Sequence, residues 1–330
     1  MKSEPNRLLL GLLNLAENCY GKQHLPYSDK HTLTSVGAVF RINPKAKVDA
    51  DRLRQALTAI AGVSQEKLSV DATRQLESQL AIDMPDDSLE MILCQRSNHD
   101  RDIHKGQVCY PGGHVDPSET DHQAVVREIS EEINLDVSDK SKFASLGLLN
   151  ERAHAYIKRS KVVTMSIYIF LQISIEDIVL KPSPKEMSKA IWTPFNDFWA
   201  YDFKRLRPFY IPSKLATGIL SNSPILKSYI VDDPKLSDLK FRVWSLMVPA
   251  LGENLWGLTI GLVSTVVEGF VFGGNREVLE FEEKIKADFF VRCARQWTFK
   301  LDSLQAIQTL DYYYEQKLST FSLGLLSERL

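Results

Sequence analysis

The sequence predicts an α+β fold, with strands and helices along one chain. Two strand patterns carry this. Thr32 to Ile42 (TLTSVGAVFRI) alternates and is rich in β-branched residues, and Lys161 to Ile173 (KVVTMSIYIFLQI) is continuous and apolar enough for a buried position. A helical pattern carries the rest. Residues 121–133 run without Gly or Pro, with Val125, Ile129 and Ile133 as one apolar stripe.

At 330 residues the chain suits one large or two ordinary domains. Its 44% hydrophobic and 25% charged content are those of a globular protein. A formal net charge of −2 gives no general attraction to nucleic acid, so no nucleic-acid partner is expected and any phosphate binding must be local. The 4 cysteines, at 19, 94, 109 and 293, form no C-x-x-C pair and read as free thiols of a reducing compartment. The 7 histidines form no H-E-x-x-H pattern.

Residues 1–27 form an N-terminal extension. Its apolar Leu8 to Leu13 is short, flanked by Glu4 and Glu17, and reads as a packed helix rather than a secretory signal. After the strand at Thr32, residues 49–62, with Leu53, Leu57 and Ile60, and residues 71–82 read as two inserted helices. Met91 to Arg96 returns as a strand. Phe143 to Leu149 is expected as another. Between Phe143–Leu149 and the strand at Lys161 lies a basic stretch, with Lys158, Arg159 and Lys161 either holding a phosphate or marking a solvated hairpin tip. Lys181 to Trp192 (KPSPKEMSKAIW) reads as a loop followed by a strand. Arg205 to Pro212 and Phe241 to Pro249 read as further strands around a polar insertion. The apolar run from Leu255 to Val267 is too short to span a bilayer and reads as a core helix. Residues 275–330 are helical in pattern, with Leu279, Ile285, Phe289 and Phe290, then Leu304, Ile307, Leu310 and Tyr312 to Tyr314.

The chemistry concentrates between Gly112 and Leu135. Asp116-Pro117 makes a turn, and Thr120 or Asp121 can cap the helix that follows. Glu128, Glu131 and Glu132 fall within an arc of about 100° on that helix. Like charges so close repel by a few tenths of a kcal/mol per exposed pair. Arg127 can pair with Glu131 at i,i+4, but one guanidinium cannot neutralise three acids. A hard divalent cation can, and it prefers oxygen ligands.

The spacing resembles the Nudix hydrolase box, G-x5-E-x7-R-E-U-x-E-E-x-G-U, with U a bulky aliphatic residue. Gly113 is followed by Glu119, then by Arg127, Glu128, Ile129, Glu131, Glu132, Ile133 and Leu135 in register. Chance agreement at so many positions is on the order of one in ten million. Asn134 replaces the late Gly; after Gly it is the residue most tolerant of a left-handed helix end. Upstream, Arg96-Ser97 and His104-Lys105-Gly106-Gln107-Val108-Cys109-Tyr110-Pro111-Gly112-Gly113 are similar to the R-S…H-x-G-Q-V-x-F-P-G-G signature of the coenzyme A diphosphatase branch, with Tyr110 for the usual Phe. Leu255-Trp256-Gly257-Leu258-Thr259 resembles the helix start that closes the domain in that branch.

The resemblance covers roughly residues 30–268. It implies a Nudix-type α/β/α sandwich with a mixed sheet over 28–268, with insertions near 44–88 and 200–250; the helical segment over 269–330 lies outside it. It implies Mg²⁺ or Mn²⁺ held by Glu128 and Glu132, with Glu131 as further ligand or water-activating base and a carbonyl at Gly112 or Gly113. Glu119 and Arg127 would orient the acids. Glu186, ahead of the Trp192 strand, is a candidate distal carboxylate. Arg96, His104, Lys105 and Gln107 would contact a nucleotide or its phosphate. The implied reaction is hydrolysis of a phosphoanhydride, with coenzyme A or acyl-CoA giving 3′,5′-ADP and 4′-phosphopantetheine or its acyl form. ADP-ribose, a dinucleotide or an oxidised dNTP are alternative substrates, and a catalytically silent binding module is a third reading. The cytoplasm is the default location, with mitochondrion or peroxisome as alternatives, and a homodimer remains open.

Overall fold

A computed structural model of the chain describes residues 4–24, 31–99, 102, 104–156, 161–200, 205–212, 240–273, 276 and 278–295. The strands are β1 (His31–Ile42), β2 (Leu89–Arg96), β3 (Val108–Cys109), β4 (Gly112–His114), β5 (Phe143–Tyr156), β6 (Lys161–Gln172), β7 (Met187–Pro194), β8 (Leu206–Pro212), β9 (Lys240–Val248) and β10 (Glu253–Trp256). The helices are α1 (Arg7–Cys19), α2 (Ala50–Val63), α3 (Val70–Gln79), α4 (Asp121–Ile133), α5 (Gly257–Phe272) and α6 (Phe281–Arg295).

The main sheet is mixed, as expected. Its path runs β3-β2-β1-β6-β5, with β4 joined to β1 and β7 to β2. β1 and β6 lie parallel over Leu33↔Thr164 to Phe40↔Leu171, while the other pairs are antiparallel. A separate antiparallel sheet orders β10-β9-β8. Helices cover both faces of the main sheet, because a sheet with two apolar faces must bury both. On one face Val125, Ile129 and Ile133 of α4 meet Val39, Ile92 and Phe170. Each such fully buried side chain contributes roughly 1.5–3 kcal/mol. On the other face α1, α2 and α5 pack over Ala38, Phe40, Ile167 and Ile169.

α1 is one of the best buried elements: Leu8, Leu9, Leu12, Leu13, Leu15 and Ala16 are fully covered. Its amide Asn14 donates to the carbonyl of Phe270 at 3.0 Å. Arg276, between α5 and α6, ties Glu17 and Glu77 together, each at 2.6 Å, so α1 and the segment after α5 are fastened to α3. α5 is buried along most of its length, as read from its composition. Among the described residues no helix is long and apolar enough to cross a membrane.

One expectation needs correction. The strand starting at Phe143 does not stop at Leu149; it pairs with β6 out to Tyr156↔Lys161. Register shifts at Ser145/Gly147 and Leu148/Asn150 absorb two extra residues, and Gly147 takes φ 105° there. Bulges bend a strand without ending its pairing, and alternation read from sequence breaks at each one. Lys158 and Arg159, and the region from Leu304 to Tyr314, lie outside the described residues.

Candidate metal centre

α4 is held at both ends by its own sequence. Thr120 accepts from the Gln123 amide at 3.2 Å, while Gln123 Oε1 accepts from the Thr120 amide at 2.8 Å, closing a capping box. Asn134 ends the helix at φ 52° and ψ 44°, the left-handed conformation the Gly-to-Asn replacement requires. The last carbonyls of the helix need donors. Lys181 N–H donates to Ile133 O at 3.0 Å, and Ser183 N–H donates to Glu132 O at 2.7 Å. The loop before β7 thus hangs on the end of α4, and Glu186 is fixed over it by its own N–H on Ser183 O at 2.9 Å.

That loop completes a carboxylate group. Oxygens of Glu128, Glu132 and Glu186 lie within 4.8 Å of one another. Glu132 is only 3% exposed, and its single described donor is the Gly112 N–H, 2.8 Å from Oε2. Burial pushes its carboxyl up to about 8, with nearby Glu128 and Glu186 adding to the rise and the Gly112 amide and Arg96 opposing it. Burial also raises Glu128. A buried carboxylate so poorly compensated fits a cation, since oxygen-rich groups of this kind are what hard divalent ions take.

The glycines make room for it. A Cβ at Gly113 would stand 2.5 Å from Glu128 Oε1, so a larger residue there would push that carboxylate aside. Gly112 holds φ 144° against the Ser35 backbone, which directs its amide at Glu132.

Arg127 is the hub around this group. It donates to Glu119 at 2.7 and 3.1 Å, to Glu128 at 3.0 Å, to Glu131 at 3.0 Å and to the carbonyl of His114 at 3.1 Å. The guanidinium holds Glu119 below the usual carboxylate range. Glu131 lies outside the three-carboxylate group: its side chain is 57% exposed and is turned to Arg127 at i,i+4. Sequence spacing thus grouped the three helix acids, whereas the fold exchanges Glu131 for Glu186.

The upstream segment approaches the same place. Arg96 sits at the end of β2 and pairs with Asp102 at 2.7 Å. Asp102 also accepts from the His104 amide at 2.8 Å, and His104 Nδ1 lies 3.3 Å from Gln107 Oε1. Gln107 O accepts from the Arg96 amide at 3.0 Å, closing the loop that carries His104 and Lys105. Asp102 escaped the sequence reading; the only hint was an acid two residues before a loop His, the spacing of a side-chain-to-backbone turn. Ser97, Asn98, His99, Pro182, Pro184, Met187 and Ser188 line an open cleft of about 300 Å³ beside Glu186. Cys94 and Cys109 stand opposite each other in β2 and β3 as free thiols, and burial raises both, Cys109 to about 12.

Residues 78–212 match the family model for the NUDIX domain. Nudix hydrolase 3 of Caenorhabditis elegans is 47% identical over 45 residues, which is 14% of this chain and 18% of that protein's length. The structure aligns with the MutT protein from Methanosarcina mazei Go1 at 13% identity and TM-score 0.30, covering 54% of this chain and 86% of that one. It aligns with a C. elegans Ap4A hydrolase binary complex at 15% identity and TM-score 0.28, covering 50% and 82%. A MutT/nudix family protein from Enterococcus faecalis aligns at 15% identity and TM-score 0.30, covering 83% and 84%. The stretch that matches the NUDIX domain model, residues 78–212, contains the spacing from Gly113 to Leu135.

Proposed function

We propose that the chain is a Nudix hydrolase that cleaves the diphosphate bond of a nucleoside diphosphate derivative, with coenzyme A or an acyl-CoA as its substrate. The single observation that carries the hydrolase reading is the grouping of Glu128, Glu132 and Glu186 within 4.8 Å beside a glycine turn. Those residues would hold Mg²⁺ or Mn²⁺, together with a carbonyl of Gly112 or Gly113. A divalent ion bound there neutralises phosphate oxygens and acidifies a water.

The chain's own residues do the rest. Arg127 draws Glu119, Glu128 and Glu131 into one network, which orients the acids before substrate arrives. Glu186 is exposed on the wall facing α4 and accepts the proton of the attacking water; Glu131, exposed and tied to Arg127, is the second candidate for that proton. The bond broken is the P–O bond of the anhydride, water supplies the new oxygen, and a phosphomonoester leaves. The coenzyme A assignment is supported by Arg96, which lies near enough to Glu132 to act on its carboxyl and is hydrogen-bonded to the loop that carries His104 and Lys105; a guanidinium suits a phosphate.

The test is product identification with Mg²⁺ and a panel of coenzyme A, acetyl-CoA, ADP-ribose, a dinucleoside tetraphosphate and an oxidised dNTP. The expected result is 3′,5′-ADP plus 4′-phosphopantetheine or its acyl form. Turnover of ADP-ribose or a dNTP with coenzyme A untouched would overturn the substrate. No turnover of any diphosphate would overturn the reaction. Glu186→Gln and Glu131→Gln are then compared across pH: the base is the residue whose loss removes the acidic limb of the kcat profile.

A further inference from the structure

A second constellation lies at the opposite end of α4. His24 follows α1, Asp121 opens α4 and Glu151 sits in β5. His24 Nδ1 is 2.8 Å from Glu151 Oε1 and 3.2 Å from Asp121 Oδ2, and the three donor atoms lie within 4.8 Å of one another. We propose that His24, Asp121 and Glu151 form a second cation site that takes a zinc-type divalent ion. This proposal does not depend on the hydrolase reading.

Three observations carry it. The first is the donor set. One imidazole and two carboxylates suit a borderline ion, whereas the all-oxygen group at Glu128 suits a hard one.

The second is an unsatisfied oxygen. Asp121 is 8% exposed, its Oδ2 accepts no hydrogen bond among the described residues, and that atom faces the His24 nitrogen. Its other oxygen is occupied, accepting from the His122 amide at 2.9 Å. A protonated His24 has one Nδ1 proton to give, and Glu151 at the shorter distance takes it. That leaves the Asp121 Oδ2 buried with no proton to accept, which is unfavourable. One ion bonded to all three removes the deficit.

The third is the surrounding support. The Tyr168 hydroxyl lies 3.4 Å from His24 Nε2, and the Ser166 hydroxyl donates to Glu151 Oε1 at 3.0 Å. With the His24 proton on Nε2 toward Tyr168, Nδ1 would be left as the lone-pair nitrogen, the arrangement ligating histidines adopt. Tetrahedral bonds of about 2.0–2.2 Å put donor atoms roughly 3.3–3.5 Å apart. The observed 2.8 and 3.2 Å need only a small opening. The Glu151 side chain is 3% exposed and the His24 side chain 42%, so the site is walled by the protein and entered past the imidazole.

The test uses the full chain carrying Glu128→Gln and Glu132→Gln, titrated with Zn²⁺ against a chromophoric chelator at pH 7.5, with Co²⁺ absorption as a second readout. One Zn²⁺ per chain and a tetrahedral Co²⁺ band are expected. His24→Ala, at an exposed position, should weaken Zn²⁺ binding at least 10-fold and abolish the band with the thermal melt unchanged; Glu151→Gln should also weaken it. Should the doubly substituted background fail to fold, the same comparison is made with the parent chain in millimolar Mg²⁺, which occupies the oxygen site. No Zn²⁺ bound at micromolar concentration, or unchanged affinity in both His24→Ala and Glu151→Gln, overturns the proposal and leaves the cluster as a histidine lying between two carboxylates.

Discussion

The two ends of α4 solve the same electrostatic problem in different ways. Near its C-terminal end, Glu128 and Glu132 sit one turn apart on one helix, and Glu186 comes from a loop hydrogen-bonded to that helix's last carbonyls. Near its start, Asp121 meets a histidine and a glutamate from two other elements. About 16 Å of helix separates Asp121 from Glu132, at 1.5 Å per residue. The first group is built of hard oxygen donors around a glycine turn; the second includes a nitrogen and is closed by hydroxyls of Tyr168 and Ser166. One rigid element thus carries two chemically distinct groups of donor atoms, because each end borrows different neighbours.

The largest effect expected is at the C-terminal group. Glu132→Gln removes the buried carboxylate while keeping its shape and its contact with the Gly112 amide. Loss of partners that only orient metal ligands typically costs 10–100-fold, so loss of a ligand should exceed roughly 100-fold in kcat. Steady-state kinetics on the best substrate at saturating Mg²⁺ checks this. Activity within 3-fold of the parent would break the contrast between the two ends.

Next in size is the hub. Glu119→Gln removes Arg127's shortest partner, at 2.7 Å, without touching the carboxylate group. A drop of about 10–100-fold is expected, with the Mg²⁺ requirement shifted upward. Arg127→Lys should fall in the same range, because a lysine cannot span Glu119, Glu128, Glu131 and the His114 carbonyl together. A metal titration of activity separates a positioning role from a general loss of fold.

The C-terminal group was far more legible in the sequence than the N-terminal one, for a physical reason. Glu128 and Glu132 share a helix, so their spacing alone fixes their relation. The glycine turn, the Thr120 cap and the Asn134 ending are local too, and each reads from a few neighbouring residues. Glu186 was visible only as an acid before an apolar strand, because its position depends on hydrogen bonds to a helix end about fifty residues earlier. His24, Asp121 and Glu151 carry no shared period, and only the fold brings them together. The same holds for β5, whose bulges broke the alternation that would have revealed its length. The helix on either side of the sheet was readable from stripes such as Val125, Ile129 and Ile133; which strand each stripe would cover was not.

A third difference between the ends appears with pH. Glu132 is raised to about 8 from its ordinary 4.5. Between those values the native metal-free protein holds a proton that the unfolded chain has released. Its contribution to stability is therefore full below about pH 4.5 and is lost as pH rises through 8, by an order of a few kcal/mol in total. His122, lowered by burial, acts in the opposite direction around its ordinary 6.5, so the measured quantity is the parent minus Glu132→Gln. In chelator, the parent's melting temperature should fall relative to that variant between pH 5.5 and 8.5. Added Mg²⁺ should reverse the trend, stabilising the parent more at pH 8.5, where proton competition is weak. A parent curve parallel to that of the variant would remove Glu132 as the poised acid.

The smallest effect separates the two ends directly. Thr120→Ala removes the capping hydroxyl and breaks the reciprocal bond pair with Gln123. Such caps are worth about 1 kcal/mol. Fraying begins at the end that loses its cap, and Asp121 is the first helical residue there, whereas Glu128 and Glu132 lie two to three turns further in and are clamped by Arg127 and by the Gly112 amide. Global stability by urea melting should fall by about 1 kcal/mol. Zn²⁺ affinity at the His24 group should weaken a few-fold, because Asp121 must be held in place to ligate. The kcat and KM of hydrolysis should stay within about 2-fold of the parent, since helix-end effects fade within the first turn. Equal losses at both ends would mean that α4 transmits the change as a rigid rod, and the two groups would then have to be treated as one coupled site.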